Sequence, residues 1–441
     1  MIRTALRAGI VAVSVGLAAS SGHPPRPSNL VIITLDTTRA DRLPAYGFAS
    51  VATPSIDWLA RTGVVFDDAE SVAPLTLTAH TSLFTGLYPP RHGVRDNVDA
   101  PLGAAHATLA GILRARGFHT GAFVGSVVLA ADRGLARGFD VYQDGRARDD
   151  STPRRRSASA VVDDARHWID GLDGEPFFLW VHLYDVHAPQ APPVEFRRAY
   201  GDGYEGAIAY VDSQIARLLE TLERKGALAT SAIVVAGDHG ESLGEHGERE
   251  HGIFLYEGAL HVPLVIRAPG VAPRHVSGIT SLVDVLPTLL DLLGVEWPPT
   301  IDGRSLVPAL RGLPLRDRAV YAESMYSTRF GWSPLRMIRD RELKYIDAPR
   351  PELYDLRSDP SEQRDLSAAR PATAAHMRAE LAAIGVTTGT LGEPAAGADR
   401  LRTLASLGYV SGRSARRAFD AGLDPKDYID VYNAVRHHAG R

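Results

Sequence analysis

Three short apolar runs in this chain each end on side chains that hold metals or move protons. Leu30 to Leu35 runs into Asp36, Phe177 to Leu183 runs into Asp185 and His187, and Ala232 to Ala236 runs into Gly237, Asp238, His239, Gly240 and Glu241. Runs this short and this apolar predict strands buried on both faces, as in a parallel sheet covered by helices. In an open sheet of that kind ligands bind outside the carboxyl ends of the strands, so the three polar ends predict one shared site. Between the runs, helical spacing appears over His106 to Arg116, Ser159 to Leu172 and Tyr204 to Lys225, the last with Ile208, Val211, Ile215, Leu218 and Leu219 on one face. A further helix around Ser281 to Leu293 stops at Gly294, the residue expected at a helix C-terminus.

The alternation of strand and helix predicts an α/β fold, with a large, mostly parallel sheet sandwiched by helices. After it, strand-like pieces at Ala319 to Ala322, Leu335 to Ile338 and Leu343 to Ile346 alternate with turns and predict a small C-terminal antiparallel sheet. The chain divides on this reading into an export leader over 1–22, a main domain over 28–312, the small sheet over 313–366 and a polar, helix-prone tail over 367–441. No internal repeat is present.

The leader reading rests on Arg3 and Arg7 ahead of the apolar stretch Ala8 to Ala19, closed by Ser20, Ser21 and Gly22. That stretch falls short of the roughly 20 residues of a membrane span. The expectation is therefore cleavage and export to a periplasm or the outside, with no stable membrane insertion afterwards; an uncleaved anchor is the alternative. A net charge of -4 over 441 residues supplies no field to attract nucleic acid. Cysteine is absent, which excludes disulfides, thiolate ligands and any cofactor made by oxidising a cysteine. The Arg/Asp-rich stretch between Gly145 and Ser157, with Arg154, Arg155 and Arg156, reads from its mixed charge as a solvated surface loop, with an anion-binding patch as the alternative, and is assigned no function.

Thr76 opens a predicted helix, with Thr78 and His80 following and Arg95 and Asn97 just beyond. A hydroxyl at a helix N-terminus is well placed as a nucleophile, because the helix dipole and a bound cation both favour the alkoxide. The plainer role for a threonine there is a helix cap. Arg95 and Asn97 are candidates for steadying an anionic ester, with a plain surface ion pair as the alternative for Arg95. His182 lies three residues before Asp185 on one strand and so is expected on the opposite face, in the core. His92 and His246 read as structural or surface histidines.

The chain resembles the sulfatase family of the alkaline phosphatase superfamily over about residues 28 to 366. The resemblance is carried by Thr34-Leu35-Asp36-Thr37-Thr38-Arg39-Ala40-Asp41, by the run TSLFTGLYPPRHGV at 81–94, by Asp185-Val186-His187, by Gly237 to Glu241 with Glu245-His246-Gly247-Glu248 after it, and by Leu353-Tyr354-Asp355-Leu356 with Asp359-Pro360. It implies a divalent metal ion held by Asp36, Asp238 and His239, a nucleophile at Thr76 touching that metal, and acid or charge-stabilising roles for His187 and His251. It also implies an alkaline phosphatase/sulfatase-like catalytic domain.

Departures from the family pattern redirect the chemistry. Sulfatases carry a cysteine or serine, converted to formylglycine, where Thr76 stands, followed by a proline and an arginine at the places of Thr78 and His80. No formylglycine is expected here. Their Gly-Lys-Trp-His segment corresponds to Gly125-Ser126-Val127-Val128, and His251 takes the place of a further lysine. The Thr76-x-x-x-His80 spacing is instead similar to nucleotide pyrophosphatase/phosphodiesterases, which use an unmodified threonine.

A threonine ester must be cleared by a second in-line displacement, which phosphoryl transfer runs readily. The expected activity is hydrolysis of phosphate or phosphonate mono- or diesters, on a small-molecule or glycan substrate. Sulfuric ester hydrolysis is the alternative, and a catalytically silent metal-binding scaffold the alternative of another class. His80, Arg95, Asn97 and Asp185 are the expected substrate-binding residues. Mixed oxygen and nitrogen ligands suit zinc or manganese better than calcium, which the family often uses. A second metal would draw on Asp185, His187 and His251.

Overall fold

The structure is a computed structural model, which describes residues 25–145, 155–201, 203–384 and 422–439. The leader expected over 1–22 and the middle of the tail lie outside the described residues. Eight strands form the main sheet: β1 (Asn29–Leu35), β2 (Val64–Glu70), β3 (His119–Val124), β4 (Val141–Gln143), β5 (Phe177–Leu183), β6 (Ser231–Gly237), β7 (Leu264–Arg267) and β8 (Arg274–Ser281). Their order is β4-β3-β5-β1-β6-β7-β2-β8. All neighbours run parallel except β7, which is antiparallel to both β6 and β2. The three apolar runs are the adjacent strands β5, β1 and β6.

Strand alternation explains why these runs are apolar throughout. On one face Leu30, Ile32, Phe178, Trp180 and Val234 pack beneath the helices Thr76–Thr85, Leu109–Arg114 and Val285–Leu293. On the other, Val31, Ile33, Leu179, Val181 and Ile233 pack beneath Pro54–Thr62, Ala158–Asp170 and Tyr204–Arg224. Two of the expected helices begin later than their periodicity suggests. Thr108 caps the first, its side chain accepting from the Gly111 N–H, so that helix starts at Leu109. Ser281 and Asp284 form a capping box around a single 3-10 turn, Leu282–Asp284, which delays the other helix to Val285. That helix does end at Gly294, in the left-handed region with φ 67°.

A separate antiparallel sheet of four strands, in the order β12-β11-β10-β9, follows: β9 (Val320–Ser324), β10 (Leu335–Arg339), β11 (Leu343–Asp347) and β12 (Glu352–Asp355). The fourth strand was not anticipated. The two sheets are joined by buried charge. Arg339 on β10 reaches Glu70, Asp68 and Glu257, and Lys344 on β11 lies 3.0 Å from Glu257 and 2.9 Å from Glu362. The helix Pro371–Ala383 contributes Met377 and Leu381 to the apolar cluster of the small sheet. No helix among the described residues is long and apolar enough to cross a membrane.

Candidate active site

Register places the site. Leu35 of β1 pairs with Leu183 of β5 on one side and Gly237 of β6 on the other, so Asp36 and Asp238 leave the sheet side by side. The Asp36 N–H donates to Leu183 O at 3.0 Å and the Asp238 N–H to Leu35 O at 3.2 Å, which extends the ladder to its last residue. Immediately beyond, Thr37 is held in the left-handed region at φ 49°, a strained position for a residue branched at Cβ. The Thr37 and His239 backbone N–H groups donate to Asp238 Oδ1 at 3.1 and 2.8 Å. Asp238 Oδ2 is thereby left without a hydrogen-bond partner, as is Asp36 Oδ1, and both carboxylates are fully buried.

His239 completes the cluster. Its Nδ1 lies 2.9 Å from the Gly240 carbonyl, which can only accept, so Nδ1 carries the proton and Nε2 turns its lone pair inward. Nε2 is 3.9 Å from Asp36 Oδ1 and 3.7 Å from Asp238 Oδ2, and ligand atoms of the three residues lie within 4.8 Å of one another. With protein neighbours alone, burial pushes the Asp36 carboxyl up to about 7, against the pull of His239, and pushes Asp238 upward too. Two buried carboxylate oxygens without partners, facing an imidazole lone pair, fit a divalent cation.

Thr76 is the first residue of its helix and not its cap, which is Leu75. Its Oγ1 lies 3.2 Å from His239 Nε2. The cap is supplied from outside, by Asn97 Oδ1, which accepts from the Leu77 N–H at 2.9 Å. Asn97 Nδ2 is buried without a partner at the same helix end. His187 and His251 approach from the other side. The His251 ring centroid is 4.5 Å from that of His239 and 4.9 Å from that of His187, which stacks on Tyr184 at 4.6 Å. His251 Nδ1 is 2.9 Å from Glu241 Oε1, so the carboxylate fixes Nδ1 as the protonated nitrogen. Glu248 anchors the same loop, accepting from the Ile253 and Phe254 N–H groups at 2.8 and 3.1 Å.

Several expected roles are corrected. His80 is fully buried with both ring nitrogens engaged, Nδ1 donating to Thr76 O at 2.7 Å and Nε2 facing Thr34 Oγ1 at 2.9 Å. Burial lowers its pKa to about 3, so it is a neutral brace beneath Thr76 and not a substrate-binding group. Arg95 is neither a substrate clamp nor a surface pair. Its Nε donates to Glu323 Oε1 at 2.6 Å and Nη2 pairs with Oε2 of the same buried carboxylate. Asp185 turns to the opposite face of the sheet, where Oδ2 accepts from the Ala158 N–H at 2.7 Å at the start of a helix. Asp185, His187 and His251 accordingly form no metal-sized group among the described residues.

His182 is the neighbour of the cluster that sequence reasoning placed in the core instead. It shares a face with Trp180, Thr34 and Asp36, and its Nε2 lies 3.1 Å from Asp36 Oδ2 while Nδ1 lies 3.1 Å from Thr34 Oγ1. The signal was parity with Asp36, not with Asp185. His92 braces the helix, 2.9 Å from Ser82 Oγ. His246 stacks on Tyr256 with 3.6 Å between ring centroids.

A buried hydroxyl at a helix start beside a carboxylate–carboxylate–imidazole cluster is an arrangement suited to metal-assisted attack on an ester. The family model described as sulfatase matches residues 28–295, and one described as the C-terminal region of N-sulphoglucosamine sulphohydrolase matches residues 244–384. The chain belongs to the sulfatase family. It is 39% identical to the choline-sulfatase of Rhizobium meliloti over 169 residues, which cover 37% of this chain and 32% of that protein. It is 26% identical to the ulvan-active sulfatase of Formosa agariphila over 78% of each chain. The phosphonate monoester hydrolase of Agrobacterium radiobacter superposes with a TM-score of 0.70 at 26% identity, covering 82% of this chain and 95% of that one.

Proposed function

We propose that this protein is an exported hydrolase of phosphate or phosphonate esters in which Thr76 Oγ1 is the nucleophile. The observation that carries the reading is Thr76 Oγ1 at 3.2 Å from His239 Nε2, on an unmodified side chain that no helix cap consumes. Asp36, Asp238 and His239 would hold the cation. When bound, it supplies Lewis-acid stabilisation of the attacking oxygen and of the ester oxygens.

The chain's own groups do the rest. The positive end of the Thr76 helix favours ionisation of the hydroxyl, and Asn97 Nδ2 offers a donor where negative charge grows. In the first step the Thr76 hydroxyl gives its proton to solvent, a bond forms from Oγ1 to phosphorus, the bond to the leaving oxygen breaks, and protonated His251 gives that oxygen its proton, with His187 beside it. Glu241 steadies the charged form of His251. In the second step neutral His251 takes a proton from the attacking water, the bond from phosphorus to Thr76 Oγ1 breaks, and the hydroxyl regains its proton from solvent. Export is supported by Arg3, Arg7 and the apolar stretch Ala8 to Ala19.

Sulfate ester hydrolysis is the second reading, favoured by the sulfatases among the relatives. A panel of nitrophenyl sulfate, phosphate, phenylphosphonate and diester substrates, run with zinc, manganese and calcium, separates the two. Intact-protein mass spectrometry of the trapped intermediate is expected to show a phosphorylated or phosphonylated Thr76. A sulfated Thr76 would overturn the assignment in favour of the second reading. Turnover by Thr76→Ala is expected to fall by orders of magnitude with metal binding kept. Unchanged turnover would remove Thr76 from the chemistry.

A further inference from the structure

We propose that Arg155 forms the anion-holding subsite of this active site, its guanidinium gripping the charged oxygens of the ester; the inference rests on the reading of the site as one for anionic esters. Arg155 belongs to the charged stretch that the sequence leaves without a role. Its guanidinium carbon lies 4.8 Å above the centroid of Tyr184, and one N–H donates to Pro189 O at 3.3 Å. Tyr184 is the outer member of a row of rings that continues through His187 and His251 to His239 beside Thr76. Arg155 therefore stands over the open end of that row, half-buried, where the row's inner members are fully covered.

The position is built. The backbone N–H of Arg156 donates to Gly125 O at 3.0 Å, tying the segment to the chain that leaves β3. The next residue there is Ser126, whose Oγ is buried without a hydrogen-bond partner. Burial raises both Asp36 and Asp185, and the charge of Arg155 reaches far enough inward to oppose that rise at each. What sets this arginine apart from the buried arginines Arg39, Arg95 and Arg329 is the lack of a carboxylate partner among the described residues. Arg95 is committed to Glu323, Arg329 to Asp96 and Asp99, and Arg39 to Asp41 and Glu245.

A ring face and a carbonyl hold a guanidinium in place without cancelling its charge. Asp36 and Asp238 offset the charge of the cation they would hold, and Glu241 that of His251, so a planar fork of N–H donors at the rim supplies the attraction for an anionic ester with bidentate geometry.

The test is calorimetric titration of inorganic phosphate into the metal-loaded full chain, for the wild type, Arg155→Gln and Arg155→Lys. Arg155→Gln is expected to weaken phosphate binding by roughly ten- to a hundredfold, the range of one to two factors of about 1.4 kcal/mol. Arg155→Lys is expected to keep part of the affinity. The same Arg155→Gln substitution is expected to lower kcat/KM mainly through KM. Phosphate affinity indifferent to Arg155→Gln, or no phosphate binding by the wild type, overturns the subsite. Phosphate binding through Arg155 in a protein that turns over no ester would sink the hydrolase reading and leave the subsite standing. Turnover through Thr76 with affinity indifferent to Arg155 would do the reverse.

Discussion

Nε2 of His182 stands 3.1 Å from Oδ2 of Asp36, and both side chains are fully buried. The ring is itself held at Nδ1 by Thr34 Oγ1, which also accepts from Trp180 Nε1 at 2.9 Å. This brace settles the Asp36 rotamer and leaves Oδ1 as the oxygen facing Asp238 and His239. Outer partners of this kind tune metal affinity by roughly 10–100-fold. His182→Ala is therefore expected to weaken zinc or manganese binding by that factor, measured by competition with a chromophoric chelator. Equal affinity in the variant would return His182 to the core-filling role its sequence position suggests.

Arg95 and Glu323 make a different claim on the same neighbourhood. The Arg95 side chain is 8% exposed and the Glu323 side chain fully covered, and Glu323 Oε2 also accepts from the Tyr321 hydroxyl at 2.6 Å. Removing one partner of a buried pair strands the other, at about 3–5 kcal/mol. Arg95→Met is expected to lose stability on that scale in urea unfolding while KM stays near the wild-type value. The double variant Arg95→Met, Glu323→Gln is expected to recover part of the loss. A raised KM with unchanged stability would restore Arg95 to the substrate.

Part of the site was legible because strand ends carry both an apolar run and the ligand that follows it: Asp36, Asp238 and His239 needed only the register of three adjacent strands. The parity of a strand was legible too, but it was referred to the wrong residue. Asp185 lies past the end of β5 and turns to the helix Ala158–Asp170, whereas Asp36 keeps the face of Thr34 and His182. Charge was not legible at all. Arg95 and Arg155 look alike as letters, and only the fold shows that Glu323 meets the first while a ring face meets the second. Strand β12 was missed because a strand of four residues, Glu352–Asp355, carries too little alternation to be seen without the neighbour it pairs with, β11.

The C-terminal segment, read as a polar tail, reaches back to the active-site loop. The Tyr432 hydroxyl donates to His251 O at 2.8 Å, and Asn433 Nδ2 donates to Gly247 O at 2.7 Å. Nothing in the sequence links these positions, which lie 181 and 186 residues apart. Tyr432→Phe removes a donor that holds the His251 backbone. A hydrogen bond worth about 0.5–1.5 kcal/mol limits the loss in kcat to roughly tenfold. The expected outcome is a fall in kcat of that order with metal affinity unchanged, since the Tyr432 hydroxyl donates to His251 and not to Asp36, Asp238 or His239. A fall in metal affinity instead would mean the segment supports the cluster and not the loop.

Asp212 supplies a pH dependence remote from the chemistry. From the middle of the helix Tyr204–Arg224 it caps the first turn of Pro54–Thr62, Oδ1 accepting from the Ile56 N–H at 2.8 Å and Oδ2 from the Ser55 N–H at 3.1 Å. Burial nevertheless outweighs these bonds and raises its pKa from 3.8 to about 6. A carboxyl raised in the folded state contributes stability that is fully present below the unfolded pKa and is lost as pH rises through the folded one. The shift of about two units corresponds to roughly 3 kcal/mol, at about 1.36 kcal/mol per unit. Urea unfolding of the wild type and of Asp212→Asn at pH 4 and pH 7 isolates this group, because other titrations cancel in the difference. Relative to Asp212→Asn, the wild type is expected to lose stability on that scale between the two pH values. A difference that stays flat, or runs the other way, would mean that the two N–H donors outweigh burial and that Asp212 is ionised throughout.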